Sequence, residues 1–570
     1  MGQLEQRVRA AAQAVLPAVV AVRTLNDPQV QRLEPGGYGP YSSGVIVTED
    51  GIVLSQWHVS HERPSKENKD GVSDIVSSLS LKAGEKTTVI LHDGRECPAE
   101  LLGADISRDL SLLRILQPGP FPCVPLDPQC EVQLGDWVLK VGHPLGYRQG
   151  RSAPVRLGRV LSRIHEAFVT DCGIAGGDSG GPFFNLDGHL TGIVAGGSVD
   201  APKVVTAHDS SLSVRMGLLM YGHSTACIQS VLDQMRAGDI LPYTIGAVEE
   251  DRLNMAQQLR AEDWTQGQAT RGLFRSFVAS SRMSVVAVLN EGVPVALGTV
   301  VTDDCVITKA TELPSNPACY LPDGCIVSAQ VVGLEPVSDL ALLKVNGKSL
   351  APIVWSEDPN PPVGSLIAAV GLQELPLAVG IVSAGRHDAG NSRLRTDPLP
   401  LRVPACRPML EGHARNHGGY YEVWHAGGLA WSGGGGAGDV ILEFAGRSIS
   451  TDDDLLAAIA GRFSGDVVSV EIQRGSDTVT LPLPLSANPY MVNSPTNYRS
   501  DGFPTVIECD VPFTSFECGG PVVDRSGRAI GITIAHVGRH GGMVIPGDCV
   551  ERLLPALRSG KLANHWHEEE

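Results

Sequence analysis

The chain repeats itself, and a long repeat restricts a fold more than any single motif does. LHDGRECPAELLGADISRDLSLLRI, from Leu91, has a partner of equal length in LPDGCIVSAQVVGLEPVSDLALLKV, from Leu321, so Asp109 falls opposite Asp339. Upstream, SGVIVTEDGIVLSQWHV corresponds to LGTVVTDDCVITKATEL. Downstream, VQLGDWVLKVGHPLG corresponds to PPVGSLIAAVGLQEL, and GDSGGPFFNLDGHLTGI to FECGGPVVDRSGRAIGI. Both copies carry short β-branched and aliphatic runs broken by turns such as Glu49-Asp50-Gly51, which predicts strands. With 65 Gly, 39 Pro and 19% charged residues, the 570-residue chain reads as a turn-rich β protein of about three domains.

The two copies differ in their chemistry. In GGDSGGP, Gly176 to Pro182, small residues allow a tight turn that presents the Ser179 hydroxyl. The same turn aims the N–H groups of Gly177 and Ser179 at one point, where they would stabilise an oxyanion. A serine hydroxyl needs a base to take its proton and a carboxylate to orient that base. His58 directly follows a predicted strand, and Asp109 opens the apolar run Leu110 to Ile115. One histidine among sixteen is more often a surface or core residue, but the joint order His58, Asp109, Ser179 in these contexts reverses that expectation. In the second copy the histidine position falls on Thr311 or, with a one-residue shift, on Glu312. The serine becomes Cys518, and the position of Gly177 becomes Phe516, whose side chain restricts the backbone there. A cysteine nucleophile still needs a base to form thiolate. Thr311, Asp339 and Cys518 therefore read as a degenerate second site.

On these segments, with LGDWVLKVGHPLG and FVTDCGIAGGDSGGPFFNLDGHLTGI, the first 235 residues resemble an HtrA (Deg) type trypsin-like serine protease. The resemblance implies a mainly β fold, a catalytic trypsin-like double β-barrel domain for the first copy. The repeat extends that fold to the second copy, whose replaced residues make it non-catalytic, so that two trypsin-like double β-barrel domains are expected. It implies the roles of His58, Asp109 and Ser179 as catalytic triad, and of Gly177 and Ser179 as oxyanion donors. Gly173 stands where the floor of the primary pocket is expected, and a glycine leaves that floor uncharged. Asp178 departs from the asparagine usual in this family. Digestive trypsin-like enzymes have aspartate there, paired with a freed N-terminus, and no activation cleavage site is recognisable here. Something else must order the loop around Gly177.

From Gly158 to Ser179 is 21 residues, whereas from the matching Gly380 to Cys518 is 138, so the second copy carries 117 extra. Within them, GDVILEFAGRSISTDDDLLAAIAGRFSGDVVSVEIQRGSDTVTLPLPL resembles a PDZ-like α+β domain. Thr451 can cap a helix whose apolar face is Leu455, Leu456 and Ile459. PDZ domains take extended peptides as an added strand. The carboxylate loop would be Met409, Leu410, Glu411 and Gly412, within RPMLEG, and a purely structural insert is the competing reading.

The expected division is 1–235 active protease domain, 236–272 helical linker, 273–406 with 487–560 degenerate domain, 407–486 PDZ-like insert and 561–570 tail. An insert from Arg63 to Glu85 follows the histidine in the first copy only, as a polar mobile loop that either overhangs the cleft or is idle. A formal net charge of −18 argues against nucleic acid as a main partner, and no segment has the run of about 18 apolar residues a membrane span needs. No cofactor or metal is expected. The twelve cysteines lack CxxC spacing and read as buried thiols. The start reads as an amphipathic helix and not as a secretory signal, which leaves a cytoplasmic location, or an extracytoplasmic one if a signal was removed. The expected function is an ATP-independent serine endopeptidase of protein quality control, acting on unfolded or extended polypeptide, with C-terminal peptides as possible PDZ ligands. The alternative is a peptide-binding or chaperone-like scaffold with a latent or silent protease site.

Overall fold

The computed structural model describes residues 1–23, 41–59, 83–126, 132–164 except 145, 167–198, 219–242, 264–389 except 312 and 315, 414–416, 421–423, 440–449, 454, 458, 467–474, 477–484, 502–536 and 541–560. The fold is mainly β. Six strands between Val19 and Ile115 close on themselves because Glu96–Asp105 pairs with both Lys86–Ile90 and Leu110–Ile115. Six more, from Trp137–Val141 to Leu219–Ser224, form a second closed barrel. The pattern recurs in the second copy, with one barrel from Val285–Asn290 to Leu340–Val345 and another from Leu366–Ala369 to Gly542–Pro546. Closure removes the exposed strand edges an open sheet would present.

The duplication reaches into packing. A helix closes each copy, Thr225–Arg236 in the first and Gly547–Arg558 in the second. Each is seated on a strand glycine, where an added Cβ would strike the carbonyl of Met235 over Gly103 and of Leu557 over Gly333. Those two glycines are separated by the same offset as Asp109 and Asp339. Both aspartates also share a backbone state uncommon outside glycine, with φ of 54° at Asp109 and 58° at Asp339.

The halves share a core. The N-terminal helix Gly2–Val15 buries Val8, Ala11, Ala12 and Val15 in a cluster with Leu110, Val141 and Leu157 of the first copy. Phe274, Phe277, Leu366, Val379, Ile381 and Val523 join the same cluster. The expected helical linker is corrected in part: Ile240–Leu241 is a short strand running parallel to Glu96–Asp105, with Ile240 opposite Ala104. Gly238, at φ of 95°, ends the preceding helix, and two apolar residues then extend along the barrel edge. Residues 243–263 lie outside the described residues, as do 63–82 of the expected loop and the 561–570 tail.

Within the insert the strands form a separate sheet, Ala414–Asn416 to Tyr421–Val423 to Val440–Phe444 to Val467–Arg474 to Asp477–Pro484. Asp454 and Ala458 are helical, and the rest of the expected helix lies outside the described residues. So do Met409, Leu410, Glu411 and Gly412.

Candidate active site

Three segments of the first copy meet between its two barrels. Strand Ile52–Gln56 runs into a turn of 3₁₀ helix that carries His58. Asp109 sits before strand Leu110–Ile115, and its positive φ turns the carboxylate back over that turn. Trp57 N–H donates to the Asp109 carbonyl at 3.0 Å, and His58 N–H to Asp109 Oδ1 at 2.8 Å. His58 Nδ1 lies 2.6 Å from Asp109 Oδ2, and its Nε2 lies 3.1 Å from Ser179 Oγ. An ionised carboxylate only accepts, so Nδ1 carries the proton and Nε2 is left to accept from the serine hydroxyl. Both members of the His–Asp pair are about one-third exposed, open enough for a substrate to reach Ser179.

Gln56, which the sequence reading passed over, ties the carboxylate to the serine loop. Its Nε2 donates to Asp109 Oδ2, and its Oε1 accepts Gly180 N–H, each at 2.9 Å. Gly177 takes φ of 91°, open to glycine alone without strain. Its carbonyl accepts from Ser43 Oγ at 2.7 Å, while Ser43 N–H donates to the Ser179 carbonyl at 2.9 Å. Among the described residues, no hydrogen bond from the N–H of Gly177 or Ser179 occurs, as an oxyanion pocket requires.

Asp178 is held by two buried cations. Arg156 reaches it with both terminal nitrogens, at 2.6 Å each, and Lys140 pairs with Oδ1. A third contact comes from Ala175 N–H at 2.9 Å. Lys140 and Arg156 stand directly opposite one another on neighbouring strands. Like charges in that relation repel, and both are out of contact with water, so the Asp178 carboxylate is what makes the pair tolerable. Burial and the Arg156 guanidinium push the Lys140 ammonium down to about 7, against the pull of Asp178. The buried His143 is pushed down to about 3, mainly by burial, and stays neutral. Arg156 Nη1 also donates to the carbonyl of Gly173 at 3.0 Å, which fixes the expected pocket floor to the same clamp.

The second copy keeps the frame with other residues in it. Ala310 and Thr311 bond to Asp339 as Trp57 and His58 bond to Asp109, which assigns the histidine position to Thr311; Glu312 lies outside the described residues. Thr311 Oγ1 donates to Asp339 Oδ2 at 2.9 Å, and Lys309, in the place of Gln56, forms a buried ion pair with it at 2.9 Å. Phe516 lies in the 3₁₀ turn Ser515–Glu517, and not in the conformation of Gly177. The positions of Lys140 and Arg156 are Ala369 and Ala378, again paired across strands, and Glu517 in the place of Asp178 accepts Thr514 N–H at 2.8 Å. Cys518 is fully buried with its thiol toward the Thr514 carbonyl. A peptidyl chloromethyl ketone should therefore label Cys518 no faster in the native protein than it labels the other buried thiols. Mass spectrometry after timed quenching measures this, and preferential labelling would restore a second nucleophile.

The trypsin-like peptidase domain family matches residues 42–193 and again 288–418. A probable periplasmic serine endoprotease DegP-like of Halomonas elongata is 33% identical over 155 residues, which is 26% of this chain and 28% of that one. The protein of the same description from Pseudomonas fulva is 32% identical over 169 residues, covering 28% of this chain and 31% of its own. The match thus spans about three-tenths of the length of these relatives. A solved serine endoprotease of Yersinia pestis aligns with 84% of this chain and 97% of its own, at 15% identity and a TM-score of 0.29. Two stretches of the chain thus match the trypsin-like peptidase family, one in each copy, and the chain is related to the HtrA/Deg-type serine endoproteases.

Proposed function

We propose that the chain is a serine endopeptidase of the HtrA/Deg type that cleaves unfolded or extended polypeptide through its first copy. The observation that carries this is the continuous link from Asp109 Oδ2 through the His58 ring to Ser179 Oγ, at 2.6 and 3.1 Å. In this reading Ser179 Oγ attacks the scissile carbonyl while His58 Nε2 takes its proton. The tetrahedral oxyanion is received by the N–H groups of Gly177 and Ser179. His58 then protonates the leaving amine, and water resolves the acyl-enzyme by the same route. Asp109 keeps the Nδ1 proton in place and stabilises the imidazolium. Gly173 brings no charge to the pocket, which favours small or medium apolar side chains before the scissile bond.

The insert is read as a PDZ-like module offering a sheet edge to peptides, and the second protease-like copy as non-catalytic. The relatives are named as periplasmic, which favours the extracytoplasmic alternative for this chain. Seven of the ten described cysteines, all of them free, are buried, which keeps those thiols from exchange in either compartment. A fluorophosphonate probe should modify Ser179 stoichiometrically and no residue of the second copy, and unfolded casein should be cleaved by the wild type alone and not by Ser179→Ala. Binding of casein with neither labelling nor cleavage would replace this reading by the scaffold alternative.

A further inference from the structure

The inactive half reaches into the active one through two acids that lie two residues apart. Glu508 lies on strand Val506–Cys509 and Asp510 directly follows it. Setting Cys518 opposite Ser179 puts Glu508 opposite Val169 and Asp510 opposite Asp171. A buried carboxylate where the other copy has valine needs a partner, and it has one across the interface. Glu508 Oε1 lies 3.2 Å from Arg151 Nη1 and 3.1 Å from His387 Nε2. Arg151 Nη2 in turn donates to the carbonyls of Pro144 and Gly146, at 2.9 Å each. Next to these, His143 N–H donates to Ser43 Oγ at 2.8 Å, and that hydroxyl donates to the Gly177 carbonyl. A hydroxyl has one hydrogen, so a Ser43 rotor held by His143 aims it at Gly177. This fixes the peptide plane lying between the two expected oxyanion donors.

Asp510 supplies a second arm. Its Oδ1 accepts Ile381 N–H of its own half at 2.5 Å, and its Oδ2 accepts Leu157 N–H of the active half at 2.7 Å. Leu157 follows Arg156, which grips Asp178. The equivalent Asp171 makes the matching contact within its own half, to Arg159 N–H at 2.7 Å. It does not cross over: its other bonds go to Thr265, and Val379 N–H, the counterpart of Leu157, donates to Gln266. The crossing contact therefore runs one way, from the half without a nucleophile to the half with one.

We propose that Glu508 and Asp510 are positioning residues for the oxyanion loop at Gly177–Ser179, so that the inactive half is a working part of the first active site. This rests on the endopeptidase reading above. Both arms end on that loop, at Gly177 and at Asp178. The second copy is accordingly kept for the carboxylates it delivers, with its own site dispensable.

The test uses the full chain with Glu508→Gln, Asp510→Asn and both together, assayed on a fluorogenic peptide and by the rate of fluorophosphonate labelling at Ser179. Oxyanion donors act in the transition state, so kcat should fall on the order of 10- to 100-fold while KM changes about 2-fold or less. Labelling should slow in parallel. Adding Arg151→Gln to Glu508→Gln should cost little more, since both break one relay. Folded variants with wild-type kcat would overturn the proposal. So would a loss that tracks only the folded fraction, with kcat per labelled Ser179 unchanged. Should Asp510→Asn fail to fold, Glu508→Gln, which keeps the side-chain volume, decides alone. A wild type without Ser179-dependent turnover or labelling sinks the endopeptidase reading, and the proposal falls with it, an outcome distinct from active wild type beside equally active variants.

Discussion

Replacing Ser179 or His58 by alanine is expected to lower kcat about 10⁶-fold on unfolded casein or a peptide derived from it, because the triad acts as a unit. Ser179 Oγ meets the only imidazole placed to receive its proton among the described residues, and that imidazole is fixed by Asp109 at both its backbone N–H and its ring. The double variant should be no slower than either single one, since each already removes the whole proton path. Asp109→Asn should be milder, about 10⁴-fold, by presenting an amide donor to Nδ1 and so favouring the wrong tautomer. Rates are read from initial velocities on protein free of contaminating protease. Hydrolysis by Ser179→Ala within tenfold of the wild type would remove the first copy from the chemistry.

The residues proposed to touch reacting atoms were legible because chemistry restricts their type and their order. A serine among glycines, a histidine after a strand and an aspartate before one leave few alternatives. The repeat made the second copy legible too, since Asp109 and Asp339 set the register. Only the choice between Thr311 and Glu312 had to wait for the hydrogen bonds to Asp339. The supporting residues were hidden. Lys140 in WVLKV and Arg156 in VRLGRV interrupt apolar strands as surface residues commonly do, yet both are buried. Nothing local states that they face each other across a strand pair. The sequence posed the question of what holds Asp178, and the answer lay in strand register, a long-range property. Glu508 and Asp510 were further out of reach, because each has a partner in the other copy. Ile240–Leu241 was lost to the helical pattern around it, since a two-residue strand is too short to show a period.

Asp178→Asn, which restores the residue usual in the HtrA family, is expected to destabilise this chain by about 3–5 kcal/mol, because it leaves buried cations without their counterion. Lys140 and Arg156 are cross-strand neighbours with side chains essentially inaccessible to water. An amide oxygen can accept one hydrogen bond from them but cannot offset the Arg156 guanidinium, and it takes away the pull that holds the Lys140 ammonium up. The second copy illustrates the alternative solution, in which the same two positions are Ala369 and Ala378 and the acid keeps a bond from Thr514 N–H like that of Asp178 from Ala175 N–H. Removing a cation along with the carboxylate should therefore recover part of the loss, so Lys140→Met added to Asp178→Asn should be more stable than Asp178→Asn alone. Activity should not recover with it. Asp178 lies between the two expected oxyanion donors, and a loop released from Arg156 should cost about 10²–10³ in kcat even in the restabilised double variant. Urea unfolding gives the stabilities, and the rate of fluorophosphonate labelling at Ser179 gives the reactivity. Equal stability of Asp178→Asn and wild type would mean that the cations are compensated elsewhere. Wild-type labelling in the double variant would mean that the clamp holds the barrel together and leaves the oxyanion loop to Ser43 and Gln56.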